Sequence, residues 1–309
     1  MITRCVRIIC ALVICVAVYF PARHARHYEY IPLKKVIQEL TFVDGTPHSE
    51  NHLRNCSYED LILKSKEVPV SDITKPKKFE LPLRGGEYIP RQCNSIIKTA
   101  IVVPYRNRSE QLQIFLNYMH SFLQQQSIHY KLFVVEQNNS LPFNRAQMIN
   151  YGASVAISLN YPCLVLHDVD LIPLSTGNIY ACSERPRHMS SSLDTFRYNL
   201  PYLTLFGGAI AILSQQYEEV NGMSNLFFGW GGEDDDFYTR LISHNLFPYR
   251  FDPEISRYSM LFHRKQPKNE ERYETLKKSL KENKNDGLNN LHRKYYIVQE
   301  DLFTRIVVF

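Results

Sequence analysis

The sequence predicts an α/β domain built on a Rossmann-like sheet, and three observations predict it. Short runs rich in β-branched and aliphatic residues recur at 99–103, 131–135 and 163–166. The segments between them, 110–126 and 145–159, read as helices, the first with apolar residues at helical spacing (Leu112, Phe115, Leu116, Met119, Phe122, Leu123). Strands joined by helices of that length form parallel βαβ units. Finally, a cluster of charged and aromatic residues follows each run, at the carboxyl ends of the strands where such sheets bind ligands.

Composition sets the bounds. With 44% hydrophobic and 12% aromatic residues, the 309-residue chain is globular and long enough for one large domain or two small ones. A net charge of +5, from 36 basic and 31 acidic residues, is mild and dispersed. With no basic stripe and no zinc-finger spacing, a nucleic-acid partner is excluded. There is no internal repeat.

The N-terminus reads as a targeting segment. Arg4 and Arg7 precede an apolar run over residues 8–20, and Pro21, Arg23, His24, Arg26 and His27 end it. Thirteen residues span only about 20 Å as a helix, short of a hydrocarbon core of roughly 30 Å. A cleaved signal peptide and an uncleaved signal anchor in a thin secretory membrane therefore compete, and the lack of a clear cleavage site favours the anchor. This gives a cytoplasmic tail over 1–7, an anchor over 8–20, a polar and irregular stem over 21–80 and a luminal domain over 81–309.

Cysteine usage agrees with a lumen. Three of seven cysteines lie in or beside the apolar run, leaving Cys56, Cys93, Cys163 and Cys182. Four cysteines allow three pairings, and an oxidising lumen makes two disulfides plausible. Asn55-Cys56-Ser57 and Asn138-Asn139-Ser140 are glycosylation sequons. A third match, Asn107-Arg108-Ser109, is expected to be buried by its function.

The first strand, stopped by Pro104, leads into Pro104-Tyr105-Arg106-Asn107-Arg108, where two arginines and an asparagine suit a base, ribose or phosphate. The second leads into Phe143-Asn144-Arg145, an aromatic and a cation entering a helix. After the third stands His167-Asp168-Val169-Asp170, whose alternate acids suit a divalent cation bridging a diphosphate. Together these make a nucleotide-diphosphate site.

The stretch 228–236, Phe-Gly-Trp-Gly-Gly-Glu-Asp-Asp-Asp, holds the chain's one tryptophan, Trp230, between Gly229 and Gly231. The flanking glycines leave the backbone open for a lid residue. Glu233, Asp234, Asp235 and Asp236 form a run whose mutual repulsion raises some of their pKa values, which suits a general base. The competing reading is a solvated acidic turn capping a helix from Phe237 onward.

At these blocks the chain resembles the β1,4-galactosyltransferase family from about Gly86 onward: PYRNR at 104–108, FNRAQMINYG at 143–152, HDVDLIP at 167–173, PRHMS at 186–190, FGGA at 206–209 and GWGGEDDD at 229–236. The resemblance implies a GT-A fold with a central mixed sheet, an inverting, manganese-dependent transferase, and a type II Golgi membrane protein with a luminal catalytic domain. It implies disulfides Cys56 to Cys93 and Cys163 to Cys182. It places Pro104, Tyr105, Arg106, Asn107, Arg108, Phe143, Asn144, Arg145, Asp168, Val169, Asp170, Trp230 and His263 around the donor nucleotide. Asp170, Met260 and His263 would hold the metal, Asp234 would be the catalytic base, and Trp230, Gly231, Gly232, Glu233, Asp234, Asp235 and Arg272 would surround the acceptor sugar.

Two departures from the family pattern matter. Leu205 stands where vertebrate galactosyl members carry tyrosine, beside C2 of the donor sugar. The resemblance is therefore greatest to invertebrate members that transfer N-acetylgalactosamine, and it implies transfer of GalNAc from UDP-GalNAc to the 4-hydroxyl of terminal GlcNAc. UDP-Gal is the alternative donor, since a pocket discriminates weakly against a smaller substrate. The segment after His263 is also shorter, so Arg272 is matched across a gap. A catalytically silent sugar-binding relative is a third reading; the presence of Asp170, His263 and Asp234 speaks against it.

Overall fold

A computed structural model describes residues 2–24, 30–40, 53–263, 269–282 and 285–309. The three apolar runs form β2 (Lys98–Tyr105), β3 (His129–Gln137) and β4 (Cys163–His167), parallel neighbours in the order β3-β2-β4. They are joined by α2 (Ser109–Gln124) and α3 (Arg145–Ser158). Pro104 does not stop its strand: it lies within β2 opposite Val135. β4 pairs only with Thr99 to Val102, so the proline falls beyond that ladder, where its missing N–H is tolerated.

Further strands widen the sheet and make it mixed. β8 (Ala209–Leu213) adds antiparallel to β4, and β6 (Arg187–His188) antiparallel to β8. On the other side β11 (Thr304–Val308) runs parallel to β3, and β10 (Tyr295–Gln299) closes that edge antiparallel. β1 (Glu87–Tyr88) pairs with the start of β3. A small second sheet sets β9 (Arg257–Met260) between β5 (Leu171–Pro173) and β7 (Ser192–Leu193). Ile101, Val103 and Val165 feed one core, whereas Val102, Leu164 and Leu166 feed the other with α3, so both faces of the sheet are covered.

The two disulfides join Cys56 to Cys93 and Cys163 to Cys182. Packing does not break at residue 80, since Ile62 and Ile73 are buried in the main core. At the N-terminus α1 (Ile2–His24) covers the expected apolar run. Among the described residues, however, no helix is long and apolar enough to cross a membrane.

The acidic run departs from the competing reading of it. It is not a turn before a helix but the first turn of α4 (Glu233–Ser243), where the helix N-terminus favours carboxylates. Asp236 turns into the core. It accepts from Arg240 Nε at 2.8 Å and from Ser279 Oγ at 2.7 Å, which ties α4 to α5 (Arg272–Glu282). Arg240 Nη1 also donates to Asp286 O at 2.7 Å.

Candidate functional site

The carboxyl ends of β2, β3 and β4 open on one edge of the sheet, and the clusters gather there. After β2, Arg106 Nη1 donates to Leu141 O at 2.6 Å, and the guanidinium lies 5.2 Å from the centre of the Phe143 ring. Pro104 and Tyr105 are buried and Arg108 is half-buried. Asn107 is exposed with φ 51°, so the third sequon is not buried as expected. A left-handed asparagine at a strand end turns the chain outward, since its side chain tolerates that conformation.

Asn144 is fully engaged by the fold. It caps α3, accepting from Gln147 N at 2.8 Å, while its Nδ2 donates to Asn225 O at 2.7 Å. Arg145 Nε donates to Asp168 Oδ1 at 2.6 Å, and Nη2 to Gly208 O at 3.4 Å. Burial works against the Arg145 charge, but the carboxylates of Asp168, Glu233 and Asp234 outweigh it and keep the guanidinium firmly protonated.

The two acids of the Asp-x-Asp pattern therefore divide. Asp168 faces Arg145, whereas Asp170 Oδ2 lies 3.0 Å from His263 Nδ1. Val169 between them is buried. The hydrogen bond with Asp170 raises the pKa of His263. Met260 lies opposite Leu171 in the β5–β9 pair, one residue from Asp170. Its amide donates to Asp194 Oδ1 at 3.1 Å, and Ser259 Oγ to Asp194 Oδ2 at 2.6 Å. Among the described residues no three His, Cys, Asp or Glu side chains cluster as metal ligands. The expected set supplies only Asp170 and His263 of those types. Their approach fits a divalent cation, while the Met260 thioether is a soft partner for a hard one.

Gly207 lies against Asp234 of α4, and Gly208 against Ser190 and Leu171. A methyl group on Gly207 would stand 3.1 Å from Asp234 Oδ2, and one on Gly208, at φ +81°, would strike Ser190 Oγ at 2.5 Å. Leu205 is half-buried two residues away, its carbonyl accepting from Arg250 Nη2 at 3.1 Å. His188 Nε2 lies 3.0 Å from Gly207 O.

Burial is the main cause of the raised pKa values of the α4 acids, and mutual repulsion is secondary. It raises Asp234, which Arg145 and the amides of Asp234 and Asp235 oppose. Glu233 is pushed up to about 7 and Asp235 to about 6, burial first and the charge of Asp234 second. Glu233 Oε2 is buried with no hydrogen-bond partner among the described residues. Tyr202 hydrogen-bonds Asp235.

Trp230 is 52% exposed, in a loop where Gly229, Gly231 and Gly232 take φ values of 82°, 108° and 100°. Asn269 N donates to Trp230 O at 3.1 Å and Gly229 N to Phe143 O at 2.8 Å, linking this loop to the nucleotide side. Arg272 packs on Gly231, where an added methyl would stand 3.1 Å from its Cδ. The residues between His263 and Asn269 lie outside those described.

Sequence reasoning missed Asp194 and Tyr202, which no pattern marked, and the inward face of Asp236, which its i,i+4 spacing to Arg240 could have shown.

Two sequence profiles match this chain: the N-terminal region of glycosyl transferase group 7 over residues 55–183, and the N-terminal domain of galactosyltransferase over residues 187–264. Human β1,4-galactosyltransferase 1 is 40% identical over 229 residues, 72% of this chain and 58% of that protein. The chain thus spans less than two thirds of the length of that relative. β1,4-galactosyltransferase 4 of Cricetulus griseus is 34% identical over 293 residues, 92% of this chain and 84% of that protein. Among solved structures, the catalytic domain of Drosophila β1,4-galactosyltransferase 7 with xylobiose superposes with a TM-score of 0.59 at 29% identity, covering 69% of this chain and 93% of that one. A variant of that enzyme with manganese, UDP-Gal and xylobiose gives 0.59 at 28% identity, with the same coverage.

Proposed function

The chain belongs to the β1,4-galactosyltransferase family and has the GT-A fold, and on that premise we propose that it is an inverting β1,4-glycosyltransferase that moves GalNAc from UDP-GalNAc to the 4-hydroxyl of terminal GlcNAc on glycoproteins or glycolipids. The observation that carries the reading is the meeting of two groups at Gly207 and Gly208, with Asp170 and its partner His263 two residues beyond Asp168: the Arg145–Asp168 pair bonds the Gly208 carbonyl, and Asp234 of α4 lies beside Gly207.

Asp170 and His263, with Met260, would hold manganese, which supplies charge neutralisation for the departing diphosphate. Arg106, Arg108 and Phe143 would hold the nucleotide, with Tyr105, Asn107 and Val169 around it. Asp234 takes the proton of the acceptor hydroxyl as its oxygen attacks the anomeric carbon. The bond from that carbon to the uridine diphosphate breaks on the opposite face, which inverts the configuration. A base in a buried site has its pKa brought toward neutrality, and the upward shift of Asp234 supports it in that role. Trp230, Gly231, Gly232, Glu233, Asp235 and Arg272 line the acceptor side, and Glu233 Oε2, which has no hydrogen-bond partner among the described residues, is offered to an acceptor hydroxyl.

Donor choice rests on Leu205. A leucine leaves room for a 2-acetamido group and offers no hydroxyl to compete with it. UDP-Gal is the second reading, favoured by the galactosyltransferase names of the relatives and by the neighbour that binds UDP-Gal. Placement in the Golgi lumen behind an N-terminal anchor is supported by Arg4, Arg7 and the run over 8–20, and by two disulfides, which form in oxidising compartments. Insertion rests on that sequence pattern, since α1 falls short of a membrane-crossing helix.

The test is transfer to a β-linked GlcNAc acceptor with manganese, with the product linkage assigned by NMR. A β1,4 product supports the reading; hydrolysis alone, or another linkage, contradicts it.

A further inference from the structure

Three alternate carbonyls of the segment that carries Leu205 are held by two buried side chains. Arg250 Nη2 donates to Leu203 O at 2.9 Å and to Leu205 O at 3.1 Å, and His188 Nε2 lies 3.0 Å from Gly207 O. The two side chains also meet each other, with Arg250 Nε donating to His188 Nδ1 at 3.3 Å. Because a carbonyl only accepts, His188 carries its hydrogen on Nε2 and receives Arg250 on Nδ1. That is the neutral imidazole. Burial first, and the charge of Arg250 second, lower its pKa well below the ordinary value.

Neither residue belongs to the segment it holds. His188 is in β6 and pairs with Ile210 of β8, which fixes it to the central sheet. Arg250 follows Tyr249, whose amide donates to Pro186 O and whose carbonyl accepts from His188 N, both at 3.0 Å. Arg250 and Phe251 also pair parallel with Tyr30 and Ile31, in the stretch expected to be stem. Residues 199–207, by contrast, form neither helix nor strand. Their buried carbonyls need partners that no regular ladder supplies, and Arg250 and His188 supply them.

We propose that His188 and Arg250 are positioning residues for donor choice, pinning the backbone on both sides of Leu205 and so fixing where its side chain stands in the donor pocket. The inference rests on the proposed donor role of Leu205. A wall that separates a 2-acetamido group from a hydroxyl by shape does so only while it is held in place, and its supporting contacts decide that. One guanidinium serves Leu203, Leu205 and His188 at once, a use that an ammonium cannot reproduce.

The experiment compares kcat/KM for UDP-GalNAc and UDP-Gal, with manganese and a GlcNAc acceptor, in the full chain and in His188→Leu, His188→Gln and Arg250→Lys. Calorimetric affinity for uridine diphosphate with manganese is the control, since that ligand carries no sugar to meet Leu205; it should stay within about threefold of the parent. Gly207 O also accepts from Ser190 Oγ at 3.2 Å, so His188→Leu leaves that carbonyl partnered. The parent ratio, at least about tenfold, should fall to within about threefold of unity in His188→Leu and Arg250→Lys. His188→Gln, whose amide nitrogen can stand where Nε2 stood, should keep most of it. Both donors slowed alike with the ratio in place, or equal relaxation by His188→Gln and His188→Leu, overturns the proposal. Loss of uridine diphosphate affinity in both His188→Leu and Arg250→Lys overturns it as well, since the two residues then hold the whole site and not the gate. A parent that prefers UDP-Gal contradicts the donor assignment alone: the same two variants should then still move the ratio toward unity.

Discussion

Arg145 Nε lies 2.6 Å from Asp168 Oδ1, and the same guanidinium acts on the carboxyls of Glu233 and Asp234 in the first turn of α4. One largely buried cation thus couples the acid at the end of β4 to the acids beside Gly207.

Replacing it has a defined sign. Burial raises Asp168, Glu233 and Asp234, and Arg145 opposes each rise. Arg145→Met should therefore raise all three, moving the acid limb of the pH profile of kcat/KM to higher pH. Asp168 is left without its ion, which costs about 2 kcal/mol, less than a fully buried pair because its side chain is 29% exposed. An acid limb that stays in place would contradict the coupling.

Asp234→Asn keeps the shape of the site and removes the base. Turnover should fall about 10²–10⁴-fold, while calorimetric affinity for uridine diphosphate with manganese changes less than about threefold. A matching loss of nucleotide affinity would place Asp234 in donor binding instead.

Glu87 on β1 tests the stability of the sheet. It is bonded to His129 Nε2 at 2.8 Å and accepts from Tyr161 OH at 2.8 Å, with Lys131 Nζ 3.7 Å away. The His129 bond is the main cause of a carboxyl held at about 2 against an ordinary 4.5. A depressed carboxyl stabilises above its unfolded value, and that contribution is lost as pH falls from 4.5 through about 2. Glu87→Gln should cost about 1–2 kcal/mol at neutral pH, allowing for partial exposure, and the difference from the parent should vanish at the acid end of a denaturation series.

The disulfides should matter for folding more than for chemistry. They close spans of 37 and 19 residues. The chain-entropy account gives each about 3–4 kcal/mol. Cys163→Ala with Cys182→Ala should lower the unfolding free energy by about 3 kcal/mol in denaturant titration, with KM for donor little changed at low temperature.

The sequence revealed the parts of the fold that rest on local pattern. The three parallel strands are near-continuous apolar runs because both faces of the sheet are covered, so their period and their place before each charged cluster were legible. The antiparallel flank of β8 and β6 was not read from period: these strands are short and buried but for Leu213, and a short run carries little signal. In the site, the residue types were legible but their division was not. Nothing in Asp168-Val169-Asp170 tells which acid meets Arg145 and which His263, since the partners come from distant α3 and the segment after β9. Asn144 looked like a ligand contact and is a helix cap, a role its place before α3 could have suggested. The disulfide pairing came from the family likeness alone.

Leu205 is the proposed gate for donor choice. The most direct test is initial transfer rates from UDP-GalNAc and UDP-Gal, in parallel, to one β-linked GlcNAc acceptor with manganese, for the parent and for Leu205→Tyr. The parent should transfer faster from UDP-GalNAc, by at least about tenfold in kcat/KM, and Leu205→Tyr should reverse the preference toward UDP-Gal. Preference for UDP-Gal by the parent, or a preference that Leu205→Tyr leaves unmoved, would contradict it.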